Sequence, residues 1–413
     1  MTSTGRASGA ASAVREGVDP RYRVAFLDWL SCCSAGASER AARCAQAVAD
    51  GVSDRVRAAA IAGHVLDFDD TYVPGLAHLS APTAPVALIL GAELGATIGD
   101  VLRAYAEGFE AMGALARSSH PALYQRGWHP TAVCGAVGAA VTAAVLLRHA
   151  RDEIMGTAAR LALAQAGGLR RSFGSDAKSI QVGTAAAAGL IAARLASLGA
   201  TATADLPTGP GGFDEAFGAT WAEPSASLNQ PDGRRAVAEN WIKAYPCCLQ
   251  THAPIEAAGQ ARDQAHVDAP LTVSVHPRAR QAAPYDDVQD ALAAKFSIPY
   301  TVAYTLLYGP PLAPSCFRAV DAQARQLAEK RISVRLDVSL PETGAALAVG
   351  SDQLARVDWA TGSPNNPMTD DQLSAKVSRL AGTRLDGLLD EPTAAAREAL
   401  DGSGLRHPPF TRR

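Results

Sequence analysis

The chain has 413 residues, 48% hydrophobic and 19% charged, which excludes a disordered chain and provides for two domains or one large domain with an insertion. A net charge of −3 leaves no basic surplus for nucleic acid or an anionic membrane surface. Aromatic residues make up only 6% while alanine is abundant, a composition suited to closely packed helices.

In chain order, residues 1–18 are Ser/Gly/Ala-rich, carry Arg6 and lack an apolar stretch. They read as a flexible tail, not a secretory leader. From 19 to 240 the chain reads as a helical domain, with apolar residues at helical spacing over 21–35, 41–66, 84–94, 100–119, 131–149, 152–166 and 184–198. Pro85 fits a helix start, where its missing N–H costs little. The run 131–147 is too weakly hydrophobic for a membrane span and reads as a buried helix of small residues. Another uncharged run, 296–317, is interrupted by Pro299, Pro310, Pro311 and Pro314. Between 201 and 233 a turn-rich loop surrounds Thr208-Gly209-Pro210-Gly211-Gly212, with neither a GxxxxGK[ST] nor a GxGxxG pattern for phosphate.

From 241 to 365 the texture is that of a smaller α+β domain. Strands are expected at 271–275 and 331–340, a hairpin at 346–349 and 354–359, and a helix at 287–308. Within the C-terminal segment 366–413, helix returns at 369–380, with Thr369 as its cap and Asp370 and Asp371 in the first turn. The seven cysteines (Cys32, Cys33, Cys44, Cys134, Cys247, Cys248 and Cys316) are odd in number and contain no CxxC pair. A disulfide framework, a zinc site or an iron–sulfur cluster does not fit them, and the expected setting is a reducing cytoplasm.

Five segments gather groups with chemistry. The densest is His64-Val65-Leu66-Asp67-Phe68-Asp69-Asp70-Thr71, followed by His78. Acids and bases at the end of an element suit proton transfer, although aspartates also cap helices and satisfy turns. His129 precedes Pro130, so it stands where the chain enters a helix and can face a cleft. Lys178 lies near a helix N-terminus and with it forms a plausible carboxylate receptor. In Lys243-Ala244-Tyr245-Pro246-Cys247-Cys248-Leu249-Gln250-Thr251-His252 the adjacent cysteines read as structural, and Lys243 and His252 as substrate contacts. In Lys295-Phe296-Ser297-Ile298-Pro299-Tyr300, the tyrosine can pack or serve as a proton donor at a cleft.

Taken in order, these segments resemble the MmgE/PrpD family, which includes 2-methylcitrate dehydratases, cis-aconitate decarboxylases and iminodisuccinate epimerases. Weaker echoes are Thr208-Gly209-Pro210 leading to Phe213, and Gly362-Ser363-Pro364-Asn365-Asn366-Pro367. The resemblance runs from about 20 to 380. It implies a mainly α fold: a large all-helical domain interrupted by an α+β lid, a cleft between them, and a terminal segment that returns to the helical domain. It also implies a homodimer acting on a small polycarboxylate without metal or organic cofactor. The cleft residues it implies are Asp67, Thr71, His78, His129, Lys178, Lys243 and Tyr300. Leu79, Gln181 and Cys248 depart from the family pattern, and Cys248 stands where the decarboxylases have a histidine. His78, His129, Asp67 and Tyr300 are therefore the catalytic candidates, and Thr71, Lys178, Lys243, His252 and Cys248 the substrate-binding ones. The expected chemistry is proton transfer next to a carboxylate, with His129 or the Asp67/His78 pair as base. Dehydration is the first reading, epimerisation the second, and cis-aconitate-type decarboxylation is disfavoured by Cys248. The Ala/Arg/Gly-rich composition hints at a high-GC bacterial gene.

Overall fold

The structure, a computed structural model, describes residues 18–147, 152–223, 235–264, 269–385 and 387–405. The tail expected over 1–18 lies outside these residues except for its last position, as do the end of the helix expected over 131–149 and the later part of the loop 201–233.

The first unit contains α1 (Pro20–Gly36), α2 (Arg40–Ala47), α3 (Val52–His64), β1 (Thr71–Tyr72), α4 (Ser80–Leu94), α5 (Ile98–Ser119), α6 (Ala122–Gln125), α7 (Pro130–Leu146), α8 (Asp152–Leu163), α9 (Ala177–Ser197) and α10 (Phe213–Phe217). α7 is its axis. The residues of α7 are small and apolar on every side, and all but Val145 are buried, as expected of a helix packed all round. It lies against α4, α5, α8 and α9. Glycines permit the close approach: a methyl at Gly189 would sit 2.5 Å from both the Ala136 carbonyl oxygen and the Ala139 methyl. Gly189→Ala is expected to destabilise the protein by about 1–3 kcal/mol, the usual result of overpacking. The expected readout is a lower urea midpoint at unchanged slope.

α9 is long and apolar enough to cross a membrane, the one such helix among the described residues, yet most of it is buried against α3, α7 and α8. The helix expected over 41–66 is two helices, because Gly51 adopts φ +126° and breaks the chain between α2 and α3. Pro85 lies inside α4 and not at its start, because the helix already begins at Ser80, whose N–H donates to Asp70 Oδ1 at 3.4 Å.

The second unit adds β2 (Asn240–Trp241), α11 (His252–Ala261), β3 (Leu271–Val275), α12 (Pro277–Ala282), α13 (Ala291–Lys295), α14 (Ile298–Tyr308), α15 (Ala322–Arg331), β4 (Ile332–Leu336), β5 (Ala345–Val349) and β6 (Asp352–Val357). Its sheet has the order β4-β3-β5-β6, with β3 parallel to β4 and antiparallel to β5, and β5–β6 a hairpin. α11, α14 and α15 contribute to the core built on this sheet. The helix expected over 287–308 breaks at Ser297, whose side chain caps α14 by accepting the Tyr300 N–H. The strand expected over 331–340 is shorter: Arg331 still belongs to α15, and Asp337 turns the chain by accepting the Ser339 N–H.

β1 pairs antiparallel with β2, so the segment after the Asp cluster is stitched to the entry of the second unit. After β6 the chain comes back. α16 (Asp370–Ala381) packs on α1, and α17 (Ala396–Gly402) packs on α4. α16 opens with a capping box of Thr369 and Gln372. The protein is thus mainly α with a smaller α+β unit.

Candidate active site

α3 stops at His64, and the chain turns through Asp67, which holds φ +56°, a left-handed conformation unusual for a side-chain-bearing residue. This turn points the Asp67 carboxylate at Lys178 Nζ (2.6 Å) and Lys243 Nζ (3.4 Å). Lys178 stands in the first turn of α9, and Lys243 follows β2. Burial would raise the Asp67 pKa, but the two ammonium groups hold it well below the usual carboxylate range. Burial likewise opposes the charge on Lys243, yet Asp67 keeps its pKa raised.

Two residues on, Asp69 is fully buried and its Oδ2 meets two imidazoles, His64 Nδ1 at 2.8 Å and His78 Nδ1 at 3.2 Å. Despite burial, these contacts keep Asp69 ionised. Both Nδ1 atoms are then donors, and the tautomer leaves His78 Nε2 as the basic nitrogen. That atom lies 3.9 Å from Asp67 Oδ1. The His78 backbone N–H donates to Thr131 Oγ1 at 3.1 Å, and the Thr71 hydroxyl lies 3.5 Å from Nδ1.

His129 caps the start of α7, where Pro130 fixes the helix entry. Its Nδ1 lies 3.1 Å from Gln181 Oε1, an acceptor, so Nδ1 carries the proton. Burial, then the neighbouring His64 and Lys178, push its pKa well below 6.5 and keep the ring neutral.

A cavity of about 200 Å³ opens beside these groups. Asp67, Thr71, His78, His129, Thr131 and Lys178 form one wall, and Lys243, Cys248, Gln250, Arg278, Phe296 and Glu342 come from the second unit. At the mouth Arg278 pairs with Glu342. Burial pushes the Cys248 thiol up to about 11, so it stays protonated at neutral pH. Of the nine residues singled out from the sequence, seven (Asp67, Thr71, His78, His129, Lys178, Lys243 and Cys248) meet here.

Two do not. The Tyr300 hydroxyl accepts the Asp321 N–H at 2.9 Å within the second unit, because the first turn of α14 presents it to the chain entering α15. His252 opens α11 and is buried edge-on against Tyr245, 5.0 Å between ring centres, away from the cavity wall. Asp69 and Arg278 carry no role in the sequence reading. Asp69 was visible in the acidic run, but nothing in the order of residues says which of three aspartates faces the histidines.

Among the described residues, His64, Asp69 and His78 form the one group able to ligate a metal, with ligand atoms within 4.8 Å of one another. Here Asp69 Oδ2 already takes both Nδ1 protons, and His64 Nε2 and Asp69 Oδ1 stay buried without a hydrogen-bond partner among the described residues.

A pH effect follows. Burial, only partly offset by Asp69, lowers the His64 pKa from 6.5 to about 4. Between those values the unfolded chain binds the proton and the folded chain does not. The His64 contribution to stability therefore falls as pH drops through that window. At about 1.4 kcal/mol per unit, it amounts to about 3 kcal/mol. Urea unfolding at pH 7 and pH 4 is expected to lose this much more stability in the native chain than in His64→Gln.

A family model described as MmgE/PrpD N-terminal domain matches residues 10–223, and one described as MmgE/PrpD C-terminal domain matches 245–401. The human cis-aconitate decarboxylase is 30% identical over 210 residues, which is 49% of this chain and 43% of that protein. The mouse cis-aconitate decarboxylase is 28% identical over 207 residues, 49% of this chain and 42% of that protein. Each match thus spans less than half the length of the relative.

Proposed function

Since the chain belongs to the MmgE/PrpD family, we propose that it is a cofactor-independent lyase, a hydro-lyase that removes a proton next to a carboxylate of a small di- or tricarboxylate. One observation carries the reading. A cavity-facing imidazole, His78, is oriented by a buried carboxylate beside two ammonium groups that outnumber the single carboxylate between them. The surplus positive charge of Lys178 and Lys243 over Asp67 suits a substrate carboxylate.

In this mechanism His78 Nε2 takes the α-proton, and Asp69 stabilises the resulting imidazolium. The ammonium groups neutralise charge as it spreads onto the substrate carboxylate. The C–O bond on the neighbouring carbon then breaks. The hydroxyl leaves as water with the proton from His78, an alkene forms, and the ring returns to its neutral state. Epimerisation needs a second proton donor on the opposite face. His129 suits that role poorly, because it is neutral and directs its one N–H to Gln181.

A second reading, decarboxylation, is favoured by the names of the relatives. Against it stands Cys248, a protonated thiol on the cavity wall. The reading includes a homodimer, supported by exposed Ile180, Ile191 and Leu195 along α9 and Leu198 just after it. Light scattering is expected to give twice the chain mass of 42.7 kDa; a single-chain mass removes the dimer from the reading.

Proton NMR in deuterated water with citrate-, methylcitrate-, malate- and aspartate-like acids tests the reaction. New vinyl signals support dehydration. Deuterium at the α-carbon without an alkene replaces it with epimerisation, and loss of carbon dioxide replaces it with decarboxylation.

A further inference from the structure

Three lysines from three separate elements donate to three successive carbonyls of the turn that carries Asp67. Lys295 Nζ, at the end of α13, donates to the Leu66 carbonyl at 2.8 Å. Lys243 Nζ donates to the Asp67 carbonyl. Lys376 Nζ, on α16, donates to the Phe68 carbonyl at 2.9 Å. All three side chains are buried. We propose that Lys295 and Lys376 are positioning residues that, together with Lys243, hold the Asp67 turn in its left-handed conformation, so that the site assembles only when the second unit and α16 are docked. The proposal rests on the reading of Asp67 as the carboxylate that sets Lys178 and His78.

The connections close on themselves. Lys376 Nζ also donates to the Lys243 carbonyl at 2.8 Å, pairs with Asp28 of α1 at 2.5 Å and lies 3.9 Å from the Phe68 ring centre. One ammonium therefore fixes the backbone of both Phe68 and Lys243, and Lys243 in turn fixes Asp67 by its carbonyl and its carboxylate. Left-handed backbone at a non-glycine residue persists where its surroundings over-determine it, and a ladder of ammonium groups on consecutive carbonyls does that. These carbonyls face no strand or helix partner, so the lysines occupy acceptors that would otherwise be buried and unmet. Lys295 and Lys376 thus hold the carbonyls of the two residues on either side of Asp67, Leu66 and Phe68.

The test uses the full-length protein with Lys295→Met, Lys295→Arg and the paired Asp28→Leu/Lys376→Met, which removes the buried ion pair whole and so keeps the question open to experiment if Lys376→Met alone fails to fold. Crystal structures of Lys295→Met and of the pair are expected to show Asp67 out of the left-handed region and its carboxylate no longer against Lys178 Nζ. Turnover well below the melting temperature is expected to fall ~10²-fold in kcat with KM little changed, the cost of misplacing a site group by about 1 Å. Lys295→Arg, which keeps a donor, is expected to recover most of it. Asp67 unmoved in both structures, or kcat at the native level in folded variants, overturns the proposal. If the native chain turns over no acid, the functional reading fails, and the crystal structures still decide the positioning role.

Discussion

His78→Ala is expected to lower kcat about 10³-fold while leaving the fold intact. General acid–base catalysis by a placed side chain contributes ~10²–10⁴-fold, and this ring serves twice in the proposed cycle, first as base and then as acid. The His78 side chain is the only one of the three clustered imidazoles with appreciable exposure to the cavity, at 12%, against none for His64. Its backbone N–H bond to Thr131 survives the substitution. Removing the ring leaves Asp69 with His64, so no buried charge loses its last partner. A loss of KM instead of kcat would mean that His78 binds substrate and that the base lies elsewhere, with His129 as the next candidate.

Lys178→Met is expected to lower kcat/KM ~10²-fold or more. A charge-assisted contact to a substrate carboxylate in a partly desolvated cavity is worth about 3 kcal/mol, and each 1.4 kcal/mol is tenfold. The loss has a second component. Without Lys178, Asp67 keeps the 3.4 Å contact to Lys243 and the 3.9 Å approach of His78, and one ammonium against one carboxylate leaves no surplus positive charge for an incoming anion. Its pKa, held down by Lys178 before any other charge, is expected to rise, adding an acid limb to the rate profile that the native chain lacks. Steady-state kinetics across pH separates the two components. Lys178→Arg is expected to restore binding in part, because the charge returns but the compact donor does not.

Element ends made much of this site legible. Asp67 follows an apolar helical run, His129 precedes a proline, and Lys178 opens a small-residue helix. Each is a place where the pattern of residue types changes, and each meets the others in the cavity. Tyr300 and His252 lay at similar transitions beside Pro299 and Thr251, but the face of a helix turned to the cleft depends on tertiary packing, and both turn inward to the second unit. Lys295 opens the segment that carries Tyr300, yet neither it nor Lys376 has a role in the sequence reading, for the opposite reason. A single lysine on a helix reads as a solvated charge, and only the folding of distant segments onto one turn buries it. The helical architecture was plain from periodicity, because an alanine-rich chain with glycines at contact points has few other ways to bury its surface. The break at Gly51 escaped notice because both flanks carry helical spacing.

The most direct measurement is a crystal structure with an unreactive tricarboxylate bound in the cavity. The account predicts one carboxylate against Lys178 Nζ and Lys243 Nζ, and the adjacent carbon about 3–3.5 Å from His78 Nε2, the separation of a near-attack arrangement. A ligand whose carboxylates avoid both lysines, or whose α-carbon faces His129 with His78 turned away, would contradict it.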